Sequence, residues 1–252
     1  MHRIGLLALL AVAGAVGCGG GGSSDRPTLT VSAATSLKQA ITAYGSDFSD
    51  AALRASFGGS DELAAQIRQG VRPDVFASAN TKLPEQLYKE GLVERPVVFA
   101  ANKLVLAVPA SGARVSTLDD LAKAGTTIAM GSASVPVGSY TRKVLAKLPP
   151  RQSKAILANV RSNEPDVGGV VGKVAQGAVD AGFVYATDVK AAGGELRAID
   201  LPAELQPQVA YGVAIVKGTH HHHQAQAFVD GLLRGAGRKR LDAAGFLPPP
   251  GT

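Results

Sequence analysis

Apolar residues fall along this chain in short runs, each followed by a turn of small or hydroxyl residues and then by apolar positions at helical spacing. Leu29 to Ala34 running into Thr35-Ser36-Leu37-Lys38 is the first instance, and Leu53 to Phe57 running into Gly58-Gly59-Ser60-Asp61-Glu62-Leu63 the second. The periods predict strands over 28–34, 51–57, 74–77 and 103–108, with helices over 37–48, 61–69 and 84–90 between them. Helix 37–48 carries Leu37, Ala40, Ile41, Tyr44 and Phe48 on one face. The pattern restarts at Thr117 with a capped helix leading to Gly125. Strands follow at 126–130, 181–185 and 208–216, and helices at 137–148, 151–158, 166–176 and 187–192. Beyond 216 only helices remain, over 222–233 and 238–243, before Gly245-Phe246-Leu247 and a proline-rich tail.

This alternation is that of an α/β fold with mostly parallel, mixed sheets flanked by helices. Two halves of like architecture joined by two strand-like crossings, at 103–108 and 208–216, make a two-lobed clamshell. Residues 27–103 with 210–252 form lobe I, and 104–209 form lobe II. A ligand would lie between them at the carboxyl ends of the strands, where open α/β sheets bind solutes.

The chain has 252 residues, 46% of them hydrophobic, enough for two modest cores. The N-terminus changes the compartment. Met1-His2-Arg3 is positive, Ile4 to Val16 is apolar but too short to span a bilayer, and Gly17-Cys18 precedes a glycine–serine stretch. Residues 1–17 read as a secretory signal, and 18–26 as a flexible tether. The lone cysteine excludes an internal disulfide. The segment resembles a bacterial lipobox, with Ala15 where leucine is preferred, and this implies lipidation of Cys18. No later stretch is long and apolar enough to cross a membrane. The net charge of +6, from 26 basic and 20 acidic residues, is dispersed without an aromatic–basic motif, which excludes nucleic acid as a partner. The densest basic cluster, Arg234 with Arg238-Lys239-Arg240, reads as a helix C-terminus.

The chemistry concentrates at helix starts. Ser36 and Ser60 stand where N-caps belong, and first-turn amides with the positive end of the helix dipole suit an anion. Val137 and Gly138, behind Pro136, present free amides; Asp166 is an N-cap with Val167 in the first turn; Tyr185 ends a strand at the cleft edge. Gly-x-Ser-x-Gly, His-Glu-x-x-His and a P-loop are all missing. The histidines lie only in the signal and in the run His220-His221-His222-His223, so no Ser–His pair forms near Ser36 or Ser60, and an enzyme is disfavoured. The run itself suits adventitious zinc or nickel at a surface loop.

Ala33-Ala34-Thr35-Ser36-Leu37, Phe57-Gly58-Gly59-Ser60-Asp61-Glu62-Leu63-Ala64, Pro73-Asp74-Val75-Phe76-Ala77-Ser78-Ala79, Val135-Pro136-Val137-Gly138-Ser139-Tyr140, Val184-Tyr185-Ala186-Thr187-Asp188 and Ala244-Gly245-Phe246 together resemble the periplasmic molybdate-binding proteins of the ModA type, from Leu29 to Leu247. The resemblance implies a type II periplasmic-binding-protein clamshell that works as a monomer without a cofactor. Molybdate, or tungstate, would be its ligand. It would deliver the anion to the permease of an ABC importer with a cytoplasmic ATPase, and touch the membrane only through a lipid anchor. It places the ligand on the hydroxyls of Ser36 and Ser60, the amides of Val137 and Val167, and the hydroxyl of Tyr185. The chain departs from the family at Ser132, where an acidic residue is frequent, and at Val137, where alanine is. Asp61 would either crowd the anion or join an expanded coordination. Sulfate remains the alternative ligand, and a surface metal-binding lipoprotein acting through His220–His223 the more distant one.

Overall fold

Each predicted apolar run becomes a strand, mostly buried except for Ala52–Gly58 at a sheet edge, and the structure, a computed structural model, describes residues 26–251. Cys18, the signal and all of the tether except Arg26 lie outside the described residues. The first half gives β1 (Thr28–Ala34), α1 (Lys38–Asp47), β2 (Ala52–Gly58), α2 (Ser60–Arg68), β3 (Val75–Ser78), α3 (Lys82–Lys89) and β4 (Val97–Asn102). The second gives β5 (Leu104–Pro109), β6 (Ile128–Gly131), α4 (Pro136–Leu145), α5 (Pro150–Ala158), β7 (Val160–Glu164), α6 (Val167–Ala175), β8 (Ala181–Tyr185), α7 (Ala186–Ala191) and β9 (Leu196–Asp200). β10 (Val209–Ile215), α8 (His222–Arg234) and α9 (Ala236–Ala244) close the chain.

The strands form two five-stranded sheets, ordered β2-β1-β3-β10-β4 and β7-β6-β8-β5-β9. In each, three neighbours run parallel and the fourth, β10 or β5, runs antiparallel to both strands beside it. The two orders superimpose as β1 on β6, β2 on β7, β3 on β8, β10 on β5 and β4 on β9. A clasp repeats with them. Asp74 accepts the Thr30 N–H at 2.6 Å and the Thr30 hydroxyl at 2.7 Å. Asp180 accepts the Thr127 N–H at 2.7 Å and its hydroxyl at 2.8 Å. Burial alone would raise the Asp74 carboxyl, but hydrogen bonds from Thr219, Thr30 and His221 hold it below its ordinary value.

The predicted crossings move. The strand expected at 103–108 lies wholly within the second sheet and β10 wholly within the first, so neither bridges the two. The chain passes over at exposed Lys103, between β4 and β5, and again between β9 and β10. The reason is the hydrogen-bond ladder: a strand paired on both sides in one sheet has no free edge for another. β7 and β9 escape prediction because each borders a sheet, where one face meets water and the sequence turns polar, as in Arg161-Ser162-Asn163-Glu164. β4, at an edge too, also escapes it, although its residues are mostly apolar. The helix expected at Thr117 is only a 3-10 turn, Asp119–Ala122. The basic cluster divides: Arg234 ends α8 as expected, while Arg238-Lys239-Arg240 lie in the first half of α9, where Arg240 grips Asp47 through two bonds of 2.6 and 2.9 Å.

The face predicted for the first helix is buried, from Leu37 to Phe48. Tyr44 stacks on Phe228 of α8 with centroids 4.8 Å apart, which docks α8 against α1. Tyr211 of β10 meets Phe99, Tyr185 and Phe246 edge-on. That cluster lies directly beneath the strand ends.

Candidate functional site

Because the two sheets share an order, the exits of β1, β2 and β3 face those of β6, β7 and β8. Ser36 follows β1, Ser60 follows β2, and Ala79 follows β3. Val137 comes after β6, Val167 after β7, and Tyr185 ends β8. All six line one small cavity of about 20 Å³, room for a single compact solute. The five residues named from the sequence, Ser36, Ser60, Val137, Val167 and Tyr185, are thus brought together.

The serines do not cap. Ser36 sits inside a 3-10 turn, Thr35–Leu37, whose N-cap is Ala34. Ser60 is the first residue of α2, behind the N-cap Gly59. Standing two residues past the cap for Ser36 and one for Ser60 carries each Oγ away from the first-turn amides. Each instead meets a partner behind it. Ser60 Oγ accepts the Ala79 N–H at 3.1 Å, and Ser36 Oγ lies 3.0 Å from Tyr211 Oη. Asp166 is an N-cap, accepting the Gly169 N–H at 3.1 Å.

Val137 is the second residue of α4 and Val167 the first of α6, so neither amide has an intrahelical acceptor. The approach of α4 to the end of β6 is close. A Cβ on Gly138 would stand 1.9 Å from the Ser132 carbonyl oxygen and 2.3 Å from that of Gly131, so only glycine fits. Across the seam, a Cβ on Gly59 would stand 2.5 Å from the Pro165 carbonyl oxygen.

Two hydroxyls at the cavity, Tyr185 Oη and Thr35 Oγ1, are buried without a hydrogen-bond partner. Leaving such a group unpaired is costly, which favours a ligand rich in acceptors. Burial pushes the Tyr185 phenol well above its ordinary value, so it is a donor at neutral pH. Behind it Asp188, pushed up to about 7 by burial, accepts the Tyr185 N–H at 2.9 Å. No Lys, Arg or His is among the described residues lining the cavity, and the one carboxylate there, Asp166, faces its cap. The site is a set of neutral donors in a low-dielectric seam.

Asp61 does not line the cavity. Its Oδ1 is buried without a partner, 2.9 Å from where a Gly59 Cβ would be. The histidine run divides: His221 Nδ1 lies 3.2 Å from Asp74 Oδ1 and His222 Nε2 2.9 Å from Glu94 Oε1, while His220 and His223 are exposed. Among the described residues no group of three or more His, Cys, Asp or Glu is placed to hold a metal ion. Sequence reasoning missed Thr35, Asn102 and Tyr211. Asn102, a polar residue ending an apolar run, was the available signal, since a buried amide must find partners.

The profile of the family described as bacterial extracellular solute-binding protein matches residues 29–247. The molybdate-binding protein ModA of Mycobacterium tuberculosis is 32% identical over 259 residues, covering 97% of each chain. The structure resembles the periplasmic molybdate-binding protein of Azotobacter vinelandii, with a TM-score of 0.79 and 26% identity over 88% of this chain and 99% of that one. The sulfate-binding protein SubI of M. tuberculosis shares the fold at 18% identity, with a TM-score of 0.77 over 88% of this chain and 87% of its own.

Proposed function

The chain belongs to the bacterial extracellular solute-binding protein family, and from that premise we propose that it captures molybdate between its two lobes and delivers it to an ABC importer. The observation that carries this reading is the donor-only cavity. Molybdate and tungstate are dianions without protons near neutral pH, and every neutral donor here finds an acceptor on them. A protonated phosphate would bring an O–H for which the only carboxylate in the lining is Asp166, held at its cap by the Gly169 N–H, a costly mismatch. The names of the M. tuberculosis and A. vinelandii relatives support the same ligand. The donors are Ser36 and Ser60 through their hydroxyls, Val137 and Val167 through their amides, and Tyr185 through its phenol. Asp61 stays outside the coordination sphere in this reading.

The protein is a receptor and not an enzyme, and tungstate binds in the same way. Residues 27–103 with 210–252 act as one lobe and 104–209 as the other. The closed form docks as a monomer on the permease, whose ATPase lies in the cytoplasm. Cys18 carries the lipid that holds the receptor at the outer face of the membrane, since among the described residues no helix is long and apolar enough to cross it. Tethering raises its effective concentration at the permease.

Calorimetric titration with molybdate, tungstate, sulfate and phosphate tests the assignment. We expect tight binding of the first two and none of phosphate. Sulfate is the same shape and charge but smaller, so sulfate binding equal to molybdate would make this a general oxyanion receptor.

A further inference from the structure

Ser36 Oγ is tied to a buried polar chain whose direction is fixed by a group that can only donate. The Lys103 backbone N–H donates to Asn102 Oδ1 at 2.9 Å, which settles the orientation of the Asn102 amide. Asn102 Nδ2 therefore faces the other way, donating to Thr187 Oγ1 at 2.8 Å and to Tyr211 Oη at 3.4 Å. Tyr211 is fully buried, and Asn102 and Ser36 are buried with it. Among the described residues the Tyr211 hydroxyl has only these two partners, Asn102 and Ser36. If it accepted from both, its own proton would be buried without an acceptor, at a cost. Burial also holds that phenol well above its ordinary value, so the proton is present at neutral pH. It goes to Ser36 Oγ. Ser36 is thereby an acceptor on its inner side, and its own proton is left for the cavity.

We propose that Asn102 and Tyr211 are positioning residues that set the polarity of the binding site, turning the Ser36 hydroxyl into an obligatory donor toward the bound oxyanion. The Ala79 N–H does the same for Ser60 with a single backbone bond. Both serines are thus wired from behind, by unlike means, to the same polarity. The selectivity against protonated anions then resides partly in residues that never touch the ligand. This rests on the oxyanion reading above and adds to it the source of the donor-only character.

The test is a double-mutant cycle by calorimetry with sodium molybdate, using the protein, Ser36→Ala, Tyr211→Phe and the double variant. Tyr211→Phe keeps the ring that packs on Phe99, Tyr185 and Phe246. We expect it to weaken binding about 3- to 10-fold in the unsubstituted protein, and less than about twofold when Ser36 is already alanine. Equal losses in both backgrounds would mean that Tyr211 acts by packing, and the relay would fall while the receptor reading stood. A Ser36→Ala variant that binds as tightly as the unsubstituted protein would also remove the relay. A flat titration of the unsubstituted protein would instead bring down the receptor reading, and the relay with it. Asn102→Asp offers a second readout, because an acceptor at Nδ2 draws the Tyr211 proton away from Ser36. Hydrogen phosphate, which the unsubstituted protein is expected not to bind, should then give a measurable titration, narrowing the preference for molybdate. An unchanged preference in a variant with native circular dichroism would overturn the proposal.

Discussion

Gly59 tests whether capture requires the two sheets to meet. Its backbone, φ −61° and ψ 131°, is ordinary for any residue, so alanine there introduces no local strain. The obstacle lies across the seam, where the new methyl would stand 2.5 Å from the Pro165 carbonyl oxygen. Ordinary contact is ~3.5 Å, so the seam must part by roughly 1 Å. The nearby Asp61 Oδ1 belongs to a side chain that can swing aside. Pro165 is two residues before Val167, whose amide would bond the anion at about 2.7–2.9 Å when closed. Moving it by ~1 Å breaks that bond. One hydrogen bond to a charged group contributes about 1.5–3 kcal/mol, so Gly59→Ala should weaken molybdate binding roughly 10- to 150-fold. The ligand-free variant should melt at the same temperature or slightly higher, because alanine narrows the unfolded ensemble by about 0.4–1 kcal/mol. Calorimetry and a ligand-free thermal melt read the two effects separately. Affinity unchanged within twofold would show that the seam does not close on the ligand. A ligand-free melting temperature lower by several degrees would show that Gly59 matters to the fold instead.

Ser36→Ala and Ser60→Ala should each cost about 1.5–3 kcal/mol of molybdate binding, whereas Val167→Ala, which keeps its amide, should cost little; the reverse order in calorimetry would invert the pocket. Asp188, pushed up to about 7 from the usual carboxylate value, binds its proton more tightly folded than unfolded. Its contribution is therefore complete only below the usual carboxylate value, still largely present at pH 4, and lost as the pH rises toward about 7. Asp188→Asn keeps an acceptor for the Tyr185 N–H and should raise the melting temperature at pH 7.5, by an effect on the order of 1–4 kcal/mol, but not at pH 4; an equal shift at both values refutes the titration. Small-angle scattering should show a smaller radius of gyration with molybdate than without, and an unchanged radius with binding verified would remove lobe closure from the transport mechanism.

How much of this was readable beforehand follows from what each residue answers to. Strands buried on both faces, such as β5 and β8, show as unbroken apolar runs because nearly every side chain is buried. Edge strands need only one such face, so β7 and β9 read as loops. Five of the cavity-lining residues, Ser36, Ser60, Val137, Val167 and Tyr185, were found because strand ends and helix starts announce themselves through small and hydroxyl residues, though Thr35 was passed over. The inner partners were not, because Tyr211 and Asn102 owe their role to a strand that arrives from the far end of the chain. No local pattern near Ser36 mentions residue 211. The serine caps were misread for a related reason: a hydroxyl at a helix start serves a cap or a pocket according to a register of one or two residues that tertiary packing decides.

The placement of β10 also dictates an order of assembly. It runs between β3 and β4, so the first sheet lacks a ladder between those strands until residues 209–215 are present. The second sheet is drawn entirely from 104–200. In a chain exported N-terminus first, the later-synthesised half can therefore finish folding while the earlier half waits, its β3 and β4 edges unpaired. Truncation just before Val209 would leave a folded module attached to an unfolded leader. Truncation after α9 would leave that ladder in place but remove buried Phe246 from its contact with Tyr211, and with it the short pairing of Leu247 with Ala101 that shields the outer edge of β4. The half that emerges first is the half most dependent on reaching the end of the chain, and it is there that holdases or proteases would find their target.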